Sequence, residues 1–181
     1  MILCLSFEDG EKRIDQLSTI GIENSIIAFK LSNGEIIRCN FYDTNGTKRF
    51  RPSIEPYFKK INGCIIVYDV TKKSSFDEIE DYYIPKIKEK CTNNIPTLIL
   101  GNKVDVEIMR EISFEKAKQL ASRHNYLYKE TSCIENMNLT EVFRIIIEFT
   151  YLNLKKRLRT ERNNNQPIIL NNQENRRCIR C

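Results

Sequence analysis

Leu98-Ile99-Leu100-Gly101-Asn102-Lys103-Val104-Asp105 is the stretch on which the reading of this chain turns. An apolar run of strand length ends abruptly in an amide, a lysine, a spacer and a carboxylate. Those groups suit the edge of a guanine base. The Asp105 carboxylate can accept two N–H bonds, one from the ring and one from the exocyclic amine. Lys103 can lay its aliphatic stem along the base face, and Asn102 can bond neighbouring backbone or the base. Polar residues after a strand also make an ordinary exit turn, so the stretch is only as informative as its surroundings.

Outward from it, strands and helices alternate. Cys64 to Val70 and Pro96 to Leu100 are continuous apolar runs, the pattern of parallel strands covered on both faces. Ile26 to Leu31 and Ile36 to Tyr42 flank Asn33-Gly34, a hairpin signal. In the second of these, Ile37, Cys39 and Phe41 alternate with Arg38 and Asn40, which predicts one buried face and one wet face. Ser75-Phe76-Asp77-Glu78 reads as a capping box opening a helix with Phe76, Ile79, Tyr83 and Ile87 on its inner side, and Pro85 should kink or interrupt it. A second helix is expected from about Ser113, burying Phe114, Ala117, Leu120 and Ala121. A third has Asn138 and Glu141 at its cap and third positions, followed by Leu139, Val142, Phe143, Ile146 and Leu154 at helical spacing. Order should fade after Leu158. The fold class is α/β, a doubly wound and mostly parallel sheet with one antiparallel edge hairpin.

Composition narrows the function classes. The 181 residues suffice for one ordinary domain, and no stretch has the eighteen or so apolar residues of a membrane span. Of the seven cysteines, Cys4, Cys39, Cys64, Cys91 and Cys133 are scattered without paired spacing and most sit in apolar runs, so they read as buried free thiols in a reducing compartment, with the cytosol as default. The net charge of +5 is uneven: residues 155–181 hold eight Lys/Arg and two Glu, a net +6, leaving −1 for the remainder. A basic tail on a near-neutral body is not the footprint of a nucleic-acid-binding domain.

In a sheet of this kind ligands sit beyond the carboxyl ends of the strands. Three polar segments are placed there: Asp43-Thr44-Asn45-Gly46, Asn102 to Asp105, and Glu130-Thr131-Ser132-Cys133 after Tyr126-Leu127-Tyr128. Three such loops at one rim reinforce one another. His124, the single histidine, lies at a helix end far from any Ser or Cys motif and is assigned no chemistry.

With these motifs in order, the chain resembles the Ras-like small GTPases, most closely the Rab branch, from Met1 to about Lys156. The resemblance rests on Ser18-Thr19-Ile20-Gly21-Ile22, Asp43-Thr44-Asn45-Gly46, Arg49-Phe50-Arg51, Tyr68-Asp69-Val70-Thr71, Asn102-Lys103-Val104-Asp105 and Glu130-Thr131-Ser132. It implies a Rab-like domain over residues 1–158 and a flexible basic tail over 159–181. It implies GTP/GDP and Mg²⁺ as cofactors, with Thr19 and Asp43 toward the metal and the Gly46 N–H toward the γ-phosphate. Asn102, Lys103 and Asp105 would read guanine, with Thr131, Ser132 and the Cys133 N–H completing the pocket. Taken singly, Thr19 could be a loop residue, Asp43 a turn former and Ser132 a cap.

Two departures from the family stand out. No Gly-x-x-x-x-Gly-Lys-Ser/Thr occurs, and the gapless register puts Ile2 to Phe7 on the helix that follows the family's phosphate-binding loop. On that register the first strand and loop are missing, through truncation or degeneracy; the other reading makes Ile2 to Phe7 the first strand. If missing, the central neighbours would lack a partner, and three lost charge-assisted bonds would cost about 5–9 kcal/mol of phosphate binding. The second departure is Thr47, where the family usually has the glutamine that orients the attacking water; threonine is too short for that role.

The chain ends Cys178-Ile179-Arg180-Cys181. After a basic tail this ending resembles prenylation signals at Cys178 or Cys181, and half a zinc site is the weaker reading. One lipid gives marginal binding, so the basic tail or a second chain would be needed. The resemblance thus implies a switch in vesicle-mediated membrane traffic on the cytosolic face of endomembranes. Its partners would be effector, exchange and activating proteins, met around Thr19-Ile22 and Asp43-Phe58, with no nucleic acid among them. A second reading is a non-hydrolysing pseudo-GTPase serving as a membrane-tethered interaction module. A third, an unrelated flavodoxin-like binding domain, requires the motif order to be coincidence.

Overall fold

The computed structural model describes residues 2–7, 22–91 and 94–164. Thr19 and its neighbours, together with Cys178 and Cys181, lie outside the described residues. One six-stranded sheet organises the rest, in the order β2-β3-β1-β4-β5-β6. The strands are β1 Ile2–Phe7, β2 Ile22–Lys30, β3 Ile36–Thr44, β4 Gly63–Asp69, β5 Thr97–Asn102 and β6 Leu127–Thr131. The helices are α1 Arg51–Ile54, α2 Lys73–Glu78, α3 Ile84–Lys90, α4 Phe114–Arg123 and α5 Leu139–Asn164.

The apolar runs behave as expected. β4, β5 and β6 pair in parallel, and β2 and β3 form the antiparallel edge hairpin. The hairpin closes through Leu31 N–H to the Glu35 carbonyl (2.8 Å) and Gly34 N–H to the Leu31 carbonyl (2.9 Å). Gly34 has φ +85°, which a side chain would strain, so the Asn33-Gly34 signal is explained by backbone geometry.

The start of the chain corrects the helical register. Ile2–Phe7 is a strand, antiparallel to both β3 and β4, and it fills the centre of the sheet. A helix in that slot would leave the facing edges of β3 and β4 without a hydrogen-bonded neighbour. A strand in that slot instead bonds on two sides and satisfies the inner edges of β3 and β4. Leu5, at its middle, is fully buried. The expected loss of partners at the sheet centre therefore does not occur.

Each face of the sheet has its own core. Leu5, Cys39, Phe41, Ile65 and Leu98 pack against Val142 and Ile146 of α5. On the other face Cys64, Ile66, Tyr68 and Ile99 meet Phe76, Ile79 and Leu120. Asn40, expected on a wet face, is buried because its side of β3 is also covered; two residues on, Tyr42 packs against Tyr57 with ring centroids 5.1 Å apart. Burial pushes the Cys39 and Cys64 thiols up to about 12, and neither is in a disulfide, as the apolar surroundings predicted.

Helix ends differ from the expected caps. α2 starts at Lys73 rather than after Ser75. Ser75 donates instead to the Lys72 carbonyl (2.8 Å) and accepts from Asp69 N–H (3.1 Å), while Glu111 takes the Lys73 N–H at 2.6 Å. Pro85 interrupts as expected: a π-helical segment, Ile79–Tyr83, joins α2 to α3, and Phe76, Ile79, Tyr83 and Ile87 are all buried. Ser113 caps α4 by accepting from Lys116 N–H, but Phe114 is 42% exposed, standing at the rim edge-on to Tyr128. Asn138 has φ +61° and donates its amide to the Glu130 carbonyl, and Glu141 pairs with Lys129, so no capping box forms. α5 continues to Asn164, past the expected end at Leu158.

Candidate guanine-base site

The β4–β5 pairing puts Asp69 directly opposite Asn102, and the β5–β6 pairing puts Asn102 opposite Thr131. Three strand ends thus finish on one row. Beyond it the chain turns sharply, since Lys103 has φ +71°, an uncommon conformation for a side-chain-bearing residue. Asn102 stabilises that turn. Its Oδ1 accepts the Lys103 N–H at 2.8 Å and the Cys133 N–H at 3.3 Å, tying the β5 loop to the β6 loop.

Asp105 and Ser132 meet across these loops. The Ser132 hydroxyl donates to Asp105 Oδ1 at 2.6 Å and accepts Glu135 N–H at 3.1 Å. Ser132 is fully buried and Thr131 nearly so, its hydroxyl donating to the Met137 carbonyl at 2.5 Å. One carboxylate oxygen is therefore fixed by serine, which orients the group while keeping it an acceptor. All of Asn102, Lys103, Asp105, Thr131, Ser132 and Cys133 come together here, joined by residues far apart in sequence. The Asp105 acceptors suit the Watson–Crick edge of a base that offers two N–H groups side by side.

Sequence reasoning assigned no role to the residues that brace this site. Lys103 Nζ lies 2.6 Å from Asp69 Oδ2. Burial works to raise the Asp69 pKa, but Lys103 and Thr71 outweigh it and hold the carboxyl below its ordinary value; the Asp69 partner raises Lys103 in turn. Behind β6, Arg110 binds Glu130 through two bonds of 2.9 and 3.1 Å and donates to the Ile112 carbonyl at 3.1 Å. Tyr128 donates to Glu130 at 2.6 Å and shares a 2.9 Å bond with Tyr68. Burial first, then Glu130 and Tyr68, push the Tyr128 phenol far up. The rim position of Asp69 was a usable signal; nothing local marks Arg110.

Gly101 permits the arrangement. A Cβ there would stand 3.0 Å from both the Tyr68 hydroxyl and Val70 Cγ1.

Asp43 does not join this cluster. On β3 it pairs opposite Leu3, which pairs opposite Ile65, four residues before Asp69 on β4. That sets it back about 13 Å along the strands and about 14 Å across them from Asn102. Its carboxylate borders an apolar cavity of about 450 Å³ with Phe29, Phe41 and Phe143. Desolvation first, then the Glu23 charge opposite it, raise its pKa. Among the described residues no three His, Cys, Asp or Glu side chains group as metal ligands. The acceptors gathered around Asp105 can meet a guanine edge, and of the two residues set toward Mg²⁺ only Asp43 is among the described residues.

Gly46 lies in the exposed loop after β3, where Asn45 Oδ1 accepts the Thr47 N–H at 2.9 Å. The following segment is fastened to the α2–α3 helix: Arg51 stacks 3.9 Å above Tyr82 and reaches Glu78 at 3.0 Å, and Lys86 meets Glu55 at 3.3 Å. No helix among the described residues is long and apolar enough to cross a membrane.

Comparison with known proteins agrees with the geometry. The Ras family model matches residues 2–151. The chain is 35% identical over 144 residues to the Ras-related protein Rab-1 of Theileria parva, covering 80% of this chain but 65% of that protein. It is 33% identical to the GTP-binding protein ypt3 of Schizosaccharomyces pombe, over 80% of this chain and 67% of the relative. With the Ras-related protein Rab-13 of Bos taurus it shares 33% identity over 91% of this chain and 79% of the relative. A match over most of its length shows that the chain belongs to the Ras family of small GTPases, in its Rab branch.

Proposed function

We propose that this chain is a Rab-type regulator of vesicle-mediated membrane traffic that recognises the guanine base and turns GTP over weakly or not at all. The observation that carries the reading is the Ser132–Asp105 bond of 2.6 Å beside the Asn102 bracket. The serine aims the carboxylate, so that it can accept the ring N–H and the exocyclic amine of guanine together. Lys103 would cover one face of the ring. The phosphates and Mg²⁺ supply the γ-phosphate signal in this family, but the 181 residues contain no Gly-x-x-x-x-Gly-Lys-Ser/Thr to hold them. Base recognition and phosphate grip are separable, and the described residues favour the first.

Thr47 and the placement of Asp43 favour a second reading, a non-hydrolysing module that presents the Asp43–Phe58 surface to effector, exchange or activating proteins. On either reading prenylation at Cys178 or Cys181, with the basic tail, would tether the protein to the cytosolic face of endomembranes.

The test is Asp105→Asn. An amide offers one acceptor and one donor, which suits xanthine, whose 2-position is a carbonyl. Wild-type chain should bind guanosine nucleotides and reject xanthosine nucleotides, and the variant should reverse that order. A variant that keeps its guanine preference would overturn the base-site assignment.

A further inference from the structure

We propose that Asp69 is a positioning residue for the base site, holding Lys103 stretched along the rim as a fixed shelf for the face of the guanine ring. The inference rests on the base-site reading above and adds to it a residue on a different strand.

The two ends of Lys103 are anchored separately. Its backbone is pinned in the left-handed conformation by the Asn102 side chain, at the end of β5. Its ammonium is 2.6 Å from Asp69 Oδ2, at the end of the neighbouring strand β4. The four methylenes between must therefore bridge the gap between two strand ends. A free lysine samples many rotamers and would lose that freedom on stacking against a ring. Here the loss is already met in the folded chain, so a ring arriving at Asp105 finds the shelf in place.

Asp69 is itself rigid. Its side chain is only 13% exposed, whereas Lys103 is 48% exposed and so open to a ligand on its outer side. Oδ1 of Asp69 accepts the Thr71 N–H at 3.0 Å and the Thr71 hydroxyl at 2.6 Å, and its backbone N–H bonds Ser75. One oxygen is thus committed to the turn after β4 and the other to Lys103. This division makes the two roles separable. Asparagine keeps an oxygen for Thr71 and removes the charge that draws Lys103.

The experiment titrates GDP and guanosine into the 181-residue chain, wild type, Asp69→Asn, Lys103→Met and the double variant, by calorimetry. Asp69→Asn should weaken both ligands by about fivefold, since the effect is on the base and not on the phosphates. The double variant should bind no more weakly than Lys103→Met, because Asp69 acts only through that lysine. Lys103→Arg, which still reaches Asp69, should retain most of the affinity, and should lose it when Asp69→Asn is added. A fold defect alone would not give this pattern of non-additivity and rescue. If wild type binds and Asp69→Asn binds equally well, or the two losses simply add, the positioning role is overturned while the base site stands. If wild-type chain binds neither GDP nor guanosine, the base-site reading fails, and this inference with it.

Discussion

Replacing Arg110 by methionine removes the cation that braces β6 from behind while keeping its aliphatic bulk. In the wild type Arg110 and Glu130 are 16% and 14% exposed and share two bonds, and Tyr128 adds a third to Glu130. Without Arg110 the carboxylate is left mostly out of water with one phenol. Breaking a buried pair from one side costs about 3–5 kcal/mol, and the residual exposure here brings the expectation to about 2–4 kcal/mol. For a chain of this size that lowers Tm by about 4–16 °C. Removing both charges, in Arg110→Met with Glu130→Gln, should cost less than the sum of the two single changes, because no uncompensated charge remains. Urea denaturation of the four proteins gives the cycle. A single-variant cost under about 1 kcal/mol, or strict additivity, would refute the argument that this pair is a unit. Since Thr131 and Ser132 follow Glu130 directly, guanosine affinity should fall with stability in Arg110→Met and partly return in the double variant.

Other outcomes follow from single contacts. Gly101→Ala should destabilise by about 1–3 kcal/mol by overpacking, since its Cβ would press on the Tyr68 hydroxyl that bonds Tyr128; Tyr68→Phe should recover part of that loss in thermal unfolding, and no recovery would place the strain elsewhere. Glu35 ties the β2–β3 turn to Lys155 and Tyr151 of α5, and Lys155 first, then Tyr151, hold its carboxyl down to about 2 against an ordinary 4.5. The folded pKa is the lower one, so the clasp contributes fully above pH 4.5 and is lost as pH falls through about 2; a carbon NMR titration of Glu35 midway near 4.5 would contradict it. GTP incubated with excess chain should lose its γ-phosphate slowly at most and faster with Thr47→Gln, and a single-turnover rate unchanged by that substitution would contradict the reading of Thr47.

What could be read from the residues was whatever depends on local pattern. The β4 and β5 runs, the Asn33-Gly34 hairpin and the inner stripe of the α2–α3 helix follow from periodicity and turn chemistry alone. The base-site residues were legible too, because Asn102, Asp105 and Ser132 each follow a recognisable strand. Pattern failed where a distant partner decides. Ser75 looks like a cap but is engaged by Asp69 and Lys72, and Asn138 turns left-handed to reach Glu130. Ile2–Phe7, which the residues alone leave open between a helix and a first strand, is a strand because β3 and β4 both need a neighbour. Arg110 was invisible for the same reason, and the rim position of Asp69 marked the residue but not its role, which exists only once Lys103 is beside it.

The central claim is that this chain selects guanine through the Asp105 carboxylate held by Ser132. Guanosine and inosine differ only in the exocyclic 2-amine, one of the two groups that carboxylate would accept. One charge-assisted bond of about 1.5–3 kcal/mol corresponds to about tenfold to a hundredfold in affinity. A side-by-side titration of the 181-residue chain with the two nucleosides should show guanosine binding tighter by that factor. Equal affinities would contradict the account.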